Sequence, residues 1–297
     1  MNKVLLTGAN GYIGKYCLNI LKSKDYEIHA VDIDISNNQN ESNVFWHEID
    51  LMDRNQIFQL MKQVKPTHLL NLAWNTSNKN YNDTVHFNWT KAGMDLLESF
   101  SQNGGKRLVV TGSGFEYNWD YGYCTENITP VRFKSLYSAS KHSLQVLIDT
   151  FCKENEMNYA WGRIFFTYGP GDNPNRLIPH VIQTIKEGKE VKTSHGEQVR
   201  DYLFVEDIAN ALVTLLGSEI QGPVNISSGQ PIRLKDIVSK IAGIMKGEHL
   251  IRLGAVEVSP DEAKIIVGNN SRLLSETSWK PNISLETGLK RTIDSIL

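Results

Sequence analysis

The sequence has few cysteines, with only Cys17, Cys124 and Cys152 among 297 residues. They are too few and too scattered along the chain to form a disulfide framework or a zinc knuckle. An odd number of cysteines is typical of a reducing compartment, so we interpret all three as packing residues. The pattern predicts no metal site.

The sequence also lacks an excess of either charge and lacks long apolar runs. Lys and Arg together number 31 and Asp and Glu number 33, so no broad basic field is available to bind nucleic acid or an anionic membrane. The apolar run at residues 4–6 is too short for the core of a secretory signal. No apolar run approaches membrane-spanning length. We therefore expect a cytoplasmic protein without nucleic-acid or membrane partners.

Short apolar runs alternate with helix-length segments through the first half of the chain. The pattern predicts strands at residues 4–6, 27–32, 44–48, 68–73, 107–111 and 159–166, with helices that include 12–21, 56–65 and 85–101. Continuous apolar strands alternating with helices indicate a parallel sheet covered on both faces. The predicted fold class is therefore α/β, with a doubly wound parallel sheet of the Rossmann type.

Three glycines, Gly8, Gly11 and Gly14, lie at the junction of the first predicted strand and helix. Gly8 permits a tight turn, Gly11 lets the backbone approach a pyrophosphate, and Gly14 allows close helix packing. Phosphates can then bind at the helix N-terminus, where free N–H groups favour anions. A glycine-rich turn without a ligand is the alternative, but an acid at the end of the second strand, Asp32, favours a dinucleotide site.

The acid at Asp32 can accept hydrogen bonds from the adenosine ribose hydroxyls and would repel a 2′-phosphate. It therefore favours NAD(H), with NADP(H) as the alternative. Asp34 lies two residues further on and is the other candidate for this role. Asp50, followed by Leu51, comes after the third predicted strand, where it suits the adenine amino group or is a solvated loop acid.

The regular pattern loosens after about Gly169, where Pro170, Pro174 and Pro179 crowd one loop. We predict a dinucleotide-binding domain over residues 1–168 and mainly a substrate-binding region, smaller and C-terminal, over residues 169–297. A predicted helix at 205–216 and a predicted strand at 224–226 return to the first core. Residues of about 203–230 should therefore complete the first domain, so the two regions interleave.

Tyr137 and Lys141 are four residues apart, which places them on one face of a helix. There an ammonium group can lower the pKa of a phenol, which can then give or take a proton. Such a pair also arises by chance, but Ser113 follows the strand predicted at 107–111. A hydroxyl at the carboxyl end of a strand can hydrogen-bond a reacting oxygen, so the three residues predict an acid/base set.

At this point the sequence resembles the extended short-chain dehydrogenase/reductases across nearly its whole length. The resemblance rests on ordered matches: the glycine motif, Asn88, Ser113 with Tyr117, Tyr137 and Lys141, RIFFTYGPG at 163–171, RDYLFVED at 200–207, and Trp279-Lys280-Pro281. It implies that Tyr137 is the acid/base, that Lys141 tunes it and holds the nicotinamide ribose, and that Ser113 polarises the substrate oxygen. It also implies a homodimer formed through the helix that carries Tyr137.

The same resemblance extends the expected cofactor site beyond the glycines and acids. Further cofactor contacts are expected from Asn10, Tyr12, Ile13, Ile33, Leu72, Ala73, Trp74, Asn88, Thr111 and Phe165. Trp74 is also expected to contact substrate, because it follows a sheet strand at the end where ligands bind in these folds.

The resemblance narrows the reaction. Family members that dehydrate a nucleotide hexose carry Asp-Glu directly after the catalytic Ser or Thr, where this sequence has Gly114-Phe115. Dehydration is therefore disfavoured, although Glu116 is one residue away. Segments 196–201 and 253–255 are similar to nucleotide-sugar 4-ketoreductases of deoxysugar biosynthesis, which favours NAD(P)-dependent reduction of a 4-keto (6-deoxy)hexose.

Two alternatives stay open at this stage. Asp32 suits an NAD that stays bound and recycles, as in a nucleotide-sugar 4-epimerase. A catalytically silent dinucleotide-binding sensor or scaffold is the alternative from another class, and the intact acid/base set argues against it.

The expected substrate is a nucleotide-diphosphate sugar. Arg200 is the candidate for the diphosphate because a planar guanidinium can pair bidentately with phosphate, although a surface salt bridge to Asp201 or Glu206 is the alternative. The remaining expected substrate contacts, by resemblance, are Ser113, Gly114, Phe115, Phe166, Arg176 and Leu177. A second phosphate-binding arginine, usual in the family before the stretch 262–264, is absent.

Overall fold

The computed structural model describes residues 2–76 and 81–297. Its strands are, in chain order, β1 (Asn2–Thr7), β2 (Tyr26–Asp32), β3 (Val44–Glu48), β4 (His68–Asn71), β5 (Arg107–Ser113), β6 (Tyr123–Cys124), β7 (Asn158–Ile164), β8 (Phe166–Tyr168), β9 (Val191–Lys192), β10 (Val199–Phe204), β11 (Gly222–Ile226), β12 (Pro231–Arg233), β13 (Ile251–Arg252) and β14 (Ile265–Gly268). Its helices are α1 (Tyr12–Leu21), α2 (Arg54–Val64), α3 (Val85–Gln102), α4 (Leu136–Glu154), α5 (Leu177–Lys186), α6 (Val205–Leu216), α7 (Leu234–Met245), α8 (Ser271–Glu276) and α9 (Leu285–Ile296).

The central element is a seven-stranded sheet in the order β11-β7-β5-β4-β1-β2-β3. Every pairing within it is parallel. The buried strands are nearly continuous apolar runs, as expected when helices cover both faces. The prediction of a doubly wound α/β fold is therefore confirmed.

Two apolar cores cover the two faces of this sheet. On one face, Leu18 of α1 and Leu212 of α6 belong to the core formed with β1 and β2. On the other face, Leu60 of α2, Leu96 of α3 and Leu144 of α4 belong to the second core. The face residues alternate along β1, because neighbouring side chains of a strand point to opposite sides. Within the described residues, no helix is both long and apolar enough to cross a membrane.

Three of the differences between predicted and observed element ends bear on the site or the sheet. Helix α2 begins two residues early because Asp53 caps it, accepting hydrogen bonds from the N–H groups of residues 55 and 56. Strand β4 ends at Asn71, where its pairing with β1 and β5 stops, and the Asn71 side chain accepts a hydrogen bond from the Thr7 hydroxyl. The strand predicted at 159–166 is divided after Ile164, because β8 pairs with β10 outside the main sheet.

The C-terminal part of the chain, together with β6 and β8, forms a second, smaller layer and also returns to the main sheet. Strands β12, β10, β14 and β6 form a second sheet, with β8 beside β10. Helices α5, α7 and α9 pack around a third apolar core. Helix α6 packs on α1 and β11 pairs with β7. This brings two C-terminal elements into the first core.

Candidate active site

A cavity of about 860 Å³ opens at the carboxyl ends of the parallel strands. Its wall begins at the turn after β1, crosses the ends of β2, β4, β5 and β7, and reaches the start of α5. Ligands bind at this edge of open α/β sheets. Of the expected site residues, the lining includes Gly8, Asn10, Gly11, Tyr12, Ile13, Gly14, Asp32, Ile33, Asp50, Leu51, Leu72, Ala73, Trp74, Thr111, Ser113, Phe115, Tyr137, Lys141, Phe165, Phe166, Arg176 and Leu177.

The glycine turn forms one end of the cavity and has the geometry that a pyrophosphate needs. Gly8 has a φ of +67°, a conformation that side-chain-bearing residues rarely adopt. A Cβ at Gly14 would lie 2.0 Å from the Gly8 carbonyl oxygen, so only glycine allows α1 to start this close to β1. The N–H groups of the first turn of α1 have no partner within the helix. The turn therefore fits an anionic dinucleotide at the α1 N-terminus.

Asp32 closes the turn from β2. One carboxylate oxygen accepts a hydrogen bond from the Asn10 N–H at 2.8 Å and the other from the Ile33 N–H at 2.9 Å. Asp32 lines the cavity, and each of its oxygens keeps a lone pair that could accept from a ribose hydroxyl. Asp34 is exposed, accepts from the Ser36 N–H and lies outside the cavity lining. The geometry therefore favours Asp32 over Asp34.

The three expected catalytic residues come together at the other end of the cavity. Ser113 is the last residue of β5, and Tyr137 and Lys141 lie on α4. All three line the cavity and are buried. The Ser135 side chain caps α4 by accepting from the Ser138 N–H, which fixes where the helix starts and where Tyr137 points.

Burial dominates the electrostatics of Tyr137 and Lys141. Burial raises the pKa of Tyr137 to about 12, and a hydrogen bond with Ser113 opposes the rise only in part. Lys141 is not among the main influences on the phenol pKa in this structure, so its effect on Tyr137 stays a prediction. The Lys141 Nζ instead donates to the Thr111 carbonyl at 2.7 Å, and burial lowers the pKa of Lys141 to about 7. Tyr137 is thus a protonated phenol at neutral pH, suited to donate a proton.

Glu116 is a buried structural carboxylate and does not line the cavity. It is fully buried and accepts hydrogen bonds from the Ser113 N–H at 2.7 Å, the Trp161 Nε1 at 3.0 Å and the Arg163 Nε at 3.0 Å. Burial by itself raises the pKa of Glu116, but Arg163 and these donors hold it below its usual value. Glu116 is absent from the cavity lining and anchors the turn that follows Ser113.

Three expected site residues lie away from the cavity. Asn88 is exposed on α3, and Gly114 packs against the Phe165 ring. Arg200 is buried, its Nη1 donating to the Val199 carbonyl and its Nη2 to Glu262 at 3.0 Å. The salt-bridge alternative considered for Arg200 thus describes it better, although the partner is Glu262 rather than Asp201 or Glu206.

The structure adds cavity residues that the sequence did not single out. Tyr81 lies 5.5 Å from the Tyr137 ring, and Asp172 holds Arg176 through a 3.1 Å contact. The further lining residues are Val31, Ile49, Met52, Asn75, Thr76, Trp89, Gly112, Ile164, Thr167, Ile178 and Tyr202. Asp172 directly follows the Gly-Pro-Gly turn at 169–171. This turn is the sequence feature from which its place in the cavity could have been predicted.

No cluster of three or more His, Cys, Asp or Glu side chains with metal-binding geometry occurs in residues 2–76 or 81–297.

Comparison with known proteins places this site in a family. The chain is 26% identical over 304 residues to the CDP-abequose synthase of Salmonella typhimurium, covering 98% of this chain and 97% of that protein. It is 26% identical to the GDP-L-colitose synthase of Yersinia pseudotuberculosis, with 99% and 98% covered. The solved structure of the UDP-N-acetylglucosamine 4-epimerase from Methanobrevibacter ruminantium M1 matches with a TM-score of 0.89 at 23% identity, covering 99% of this chain and 97% of that one.

The family model for the NAD dependent epimerase/dehydratase family matches residues 4–227, which include the glycine turn, Ser113, Tyr137 and Lys141. This protein is therefore a member of the NAD dependent epimerase/dehydratase family.

Proposed function

We propose that this protein reduces the 4-keto group of a nucleotide-linked hexose, and of a 6-deoxyhexose in particular, with a bound nicotinamide dinucleotide. The observation that carries the proposal is the protonated Tyr137 beside Ser113 at one end of a cavity whose other end is the glycine turn. Relatives named as a CDP-abequose synthase and a GDP-L-colitose synthase match over nearly their whole length. Gly114 and Phe115 replace the acidic pair of dehydratases.

The residues support this reduction in a definite way. When bound, the reduced nicotinamide would supply a hydride to the carbonyl carbon. The Ser113 hydroxyl orients the carbonyl oxygen, and the Tyr137 phenol donates the proton that this oxygen takes up. Lys141, charged over part of the neutral range, stabilises the phenolate that remains. Asp32 supports NAD(H) as the cofactor, because its carboxylate would repel a 2′-phosphate.

Epimerisation at C4 is the second candidate. It uses the same three residues, and Asp32 suits an NAD that stays bound through successive turnovers. The fold similarity to a 4-epimerase structure is consistent with it. We place reduction first because the chain matches a CDP-abequose synthase and a GDP-L-colitose synthase over nearly their whole length.

The function is tested on the purified protein. Bound cofactor is released by denaturation and identified, and the protein is then mixed with NADH or NADPH and nucleotide-linked 4-keto-6-deoxyhexoses carrying UDP, dTDP, CDP or GDP. Stoichiometric oxidation of the added cofactor supports the ketoreductase and identifies its nucleotide and cofactor. Retained NAD with interconversion of 4-hydroxy epimers and no net oxidation makes the protein an epimerase instead.

The diphosphate of the substrate needs a cation, and we propose Arg176 for this role in place of Arg200. Arg176 lines the cavity at the start of α5 and is half-exposed, whereas Arg200 is buried and paired with Glu262. The N-terminus of α5 adds its own preference for an anion. Arg176 is held by Asp172, whose second carboxylate oxygen is buried without a partner.

Replacing Arg176 with Ala should weaken nucleoside diphosphate binding by about 10- to 100-fold, the usual value of a charge-assisted hydrogen bond. Arg200→Met keeps the bulk beside Phe166. This variant should have a lower melting temperature and a nearly unchanged nucleotide affinity. Calorimetric titration with UDP, CDP, GDP and dTDP measures both variants. Full affinity in Arg176→Ala together with lost affinity in Arg200→Met would return the role to Arg200.

Three further features remain proposals. Exposed apolar side chains on α3 and α4, Phe87, Met94, Val146 and Leu147, support a homodimer that packs these two helices against their copies. Sedimentation at twice the chain mass would bear this out, and a monomer at micromolar concentration would contradict it.

The three free, buried cysteines support a cytoplasmic location, which cell fractionation tests. Substrate binding mainly by residues 169–297 is tested by the Arg176 variant.

A further inference from the structure

The ammonium group of Lys141 lies against an aromatic face. Its Nζ is 3.9 Å from the centroid of the Trp74 ring, and it also donates to the Thr111 carbonyl. Lys141 is only 3% exposed, so water contributes little to its solvation. The carbonyl and the indole face therefore take the place of water around this charge.

Trp74 is held in this position by a second buried ring. Its Nε1 donates a hydrogen bond to the His86 Nδ1 at 3.2 Å, and the two rings stack with their centroids 6.2 Å apart. His86 belongs to α3 and is buried. Both rings also meet Tyr137, Trp74 at 6.3 Å and His86 at 5.3 Å between centroids. Trp74 therefore contacts both Lys141 and Tyr137, and His86 contacts Trp74 and Tyr137.

We propose that Trp74 and His86 are a positioning pair that keeps the Lys141 ammonium group charged and in place beside Tyr137. The inference rests on the proposed hydride-transfer function, because it concerns the residues that carry out the proton transfer. Neither side chain is needed to donate or accept the transferred proton. Trp74 acts through Lys141, and His86 acts through Trp74.

The balance of charges around Lys141 makes the aromatic face important. Burial lowers the pKa of Lys141 to about 7, and Glu116 opposes this shift. Glu116 is itself paired with Arg163, so its field on Lys141 is partly cancelled. The other titratable groups packed here are Tyr137 on α4 and His86 on α3. An aromatic face favours the charged form of a lysine, and most strongly where the cation is desolvated.

The test is the pH dependence of kcat/KM for the hydride-transfer reaction. Lys141 is needed as an ammonium group, so activity should fall as pH rises through its pKa. Removing the aromatic face in Trp74→Leu lowers this pKa, so the alkaline midpoint should move down by about one pH unit. Trp74→Phe keeps an aromatic face and should stay closer to the wild-type midpoint. An unchanged midpoint in Trp74→Leu, with only the amplitude reduced, would overturn the proposal.

Trp89→Leu is the matched control for lost packing. Trp89 lines the same cavity and its ring lies 6.3 Å from that of Trp74, but no cation–π contact joins it to Lys141. The Trp89→Leu variant should keep the wild-type alkaline midpoint of kcat/KM, whatever its affinity for ligands. A midpoint in Trp89→Leu that falls as far as in Trp74→Leu would contradict a specific role for Trp74.

A second measurement covers the case in which Trp74→Leu does not fold. Protein produced with fluorinated tryptophan keeps the ring shape but has a weaker negative π face. The midpoint should again move to lower pH, and the same labelling in a Trp74→Phe background should have no effect. Equal shifts in both backgrounds would overturn the proposal. If the wild-type protein transfers no hydride with any substrate, the proposed function has failed instead. The contact between Trp74 and Lys141 is then tested by fluorescence alone. The difference in fluorescence between wild type and Trp74→Phe should still titrate near pH 7.

Discussion

Replacing Tyr137 with Phe should lower kcat by about 10²- to 10⁴-fold, the usual contribution of a positioned acid or base. The phenol hydroxyl is the group that hydrogen-bonds Ser113 at the catalytic end of the cavity. Phenylalanine keeps the ring contacts to Trp74 and Phe115, so the cavity retains its shape. Cofactor affinity, measured by fluorescence titration with NADH, should therefore stay within a few-fold of wild type.

Tyr117→Phe is the matched control for this substitution. Tyr117 is also buried, and the substitution removes its hydroxyl, which donates to the Asn225 side chain at 2.8 Å and also interacts with Arg163. It lies outside the cavity lining, so its loss should cost about 1–3 kcal/mol of unfolding free energy with kcat nearly unchanged. Activity retained in Tyr137→Phe, with wild-type folding, would refute the acid role of Tyr137.

The parts of the site that the sequence predicted are those built from near neighbours in the chain. The glycine turn is defined by spacing within seven residues, and the lysine–tyrosine pair by one helical turn. In both cases local geometry determines which side chains share a surface. The parallel strand pattern likewise placed Asp32 and Ser113 at the same edge of the sheet, because each lies at the carboxyl end of a strand.

The parts that the sequence did not predict depend on distant contacts. Arg200 was assigned to phosphate, but its partner Glu262 lies 62 residues further along the chain. No local pattern shows that these two side chains meet between β10 and the segment before β14. The burial of Tyr137, which raises its pKa, has a similar origin. Burial depends on Trp74, His86 and Tyr81, which come from a different segment from α4.

Glu116 illustrates how the same contacts decide a role. From the sequence it was a possible catalytic acid displaced by one residue. Within the described structure its two oxygens are occupied by a backbone N–H, an indole N–H and a guanidinium. A carboxylate with these partners stabilises the turn after β5, and thereby the backbone that presents Ser113 to the cavity.

Glu116→Gln should therefore reduce stability strongly. The substitution leaves the buried Arg163 guanidinium without its counter-charge, and breaking a buried ion pair on one side costs about 3–5 kcal/mol. Urea unfolding at neutral pH measures the loss. In the double variant Glu116→Gln/Arg163→Met no buried charge is left unpaired, so part of the loss should be recovered. A double variant no more stable than Glu116→Gln would argue against the ion pair as the cause.

The pH dependence of stability gives an independent check. The folded-state pKa of Glu116 lies below its usual value of 4.5, so its stabilising contribution is fully present above that pH. The contribution is lost as pH falls through the folded-state pKa. The unfolding free energies of wild type and Glu116→Gln should accordingly converge in acid, whereas a constant difference down to pH 3 would mean that the carboxylate charge is not what stabilises this turn. The activity of Glu116→Gln per folded molecule distinguishes the two roles of this carboxylate. Activity retained in the folded fraction supports a structural role in the turn that carries Ser113, and its loss would support a catalytic role.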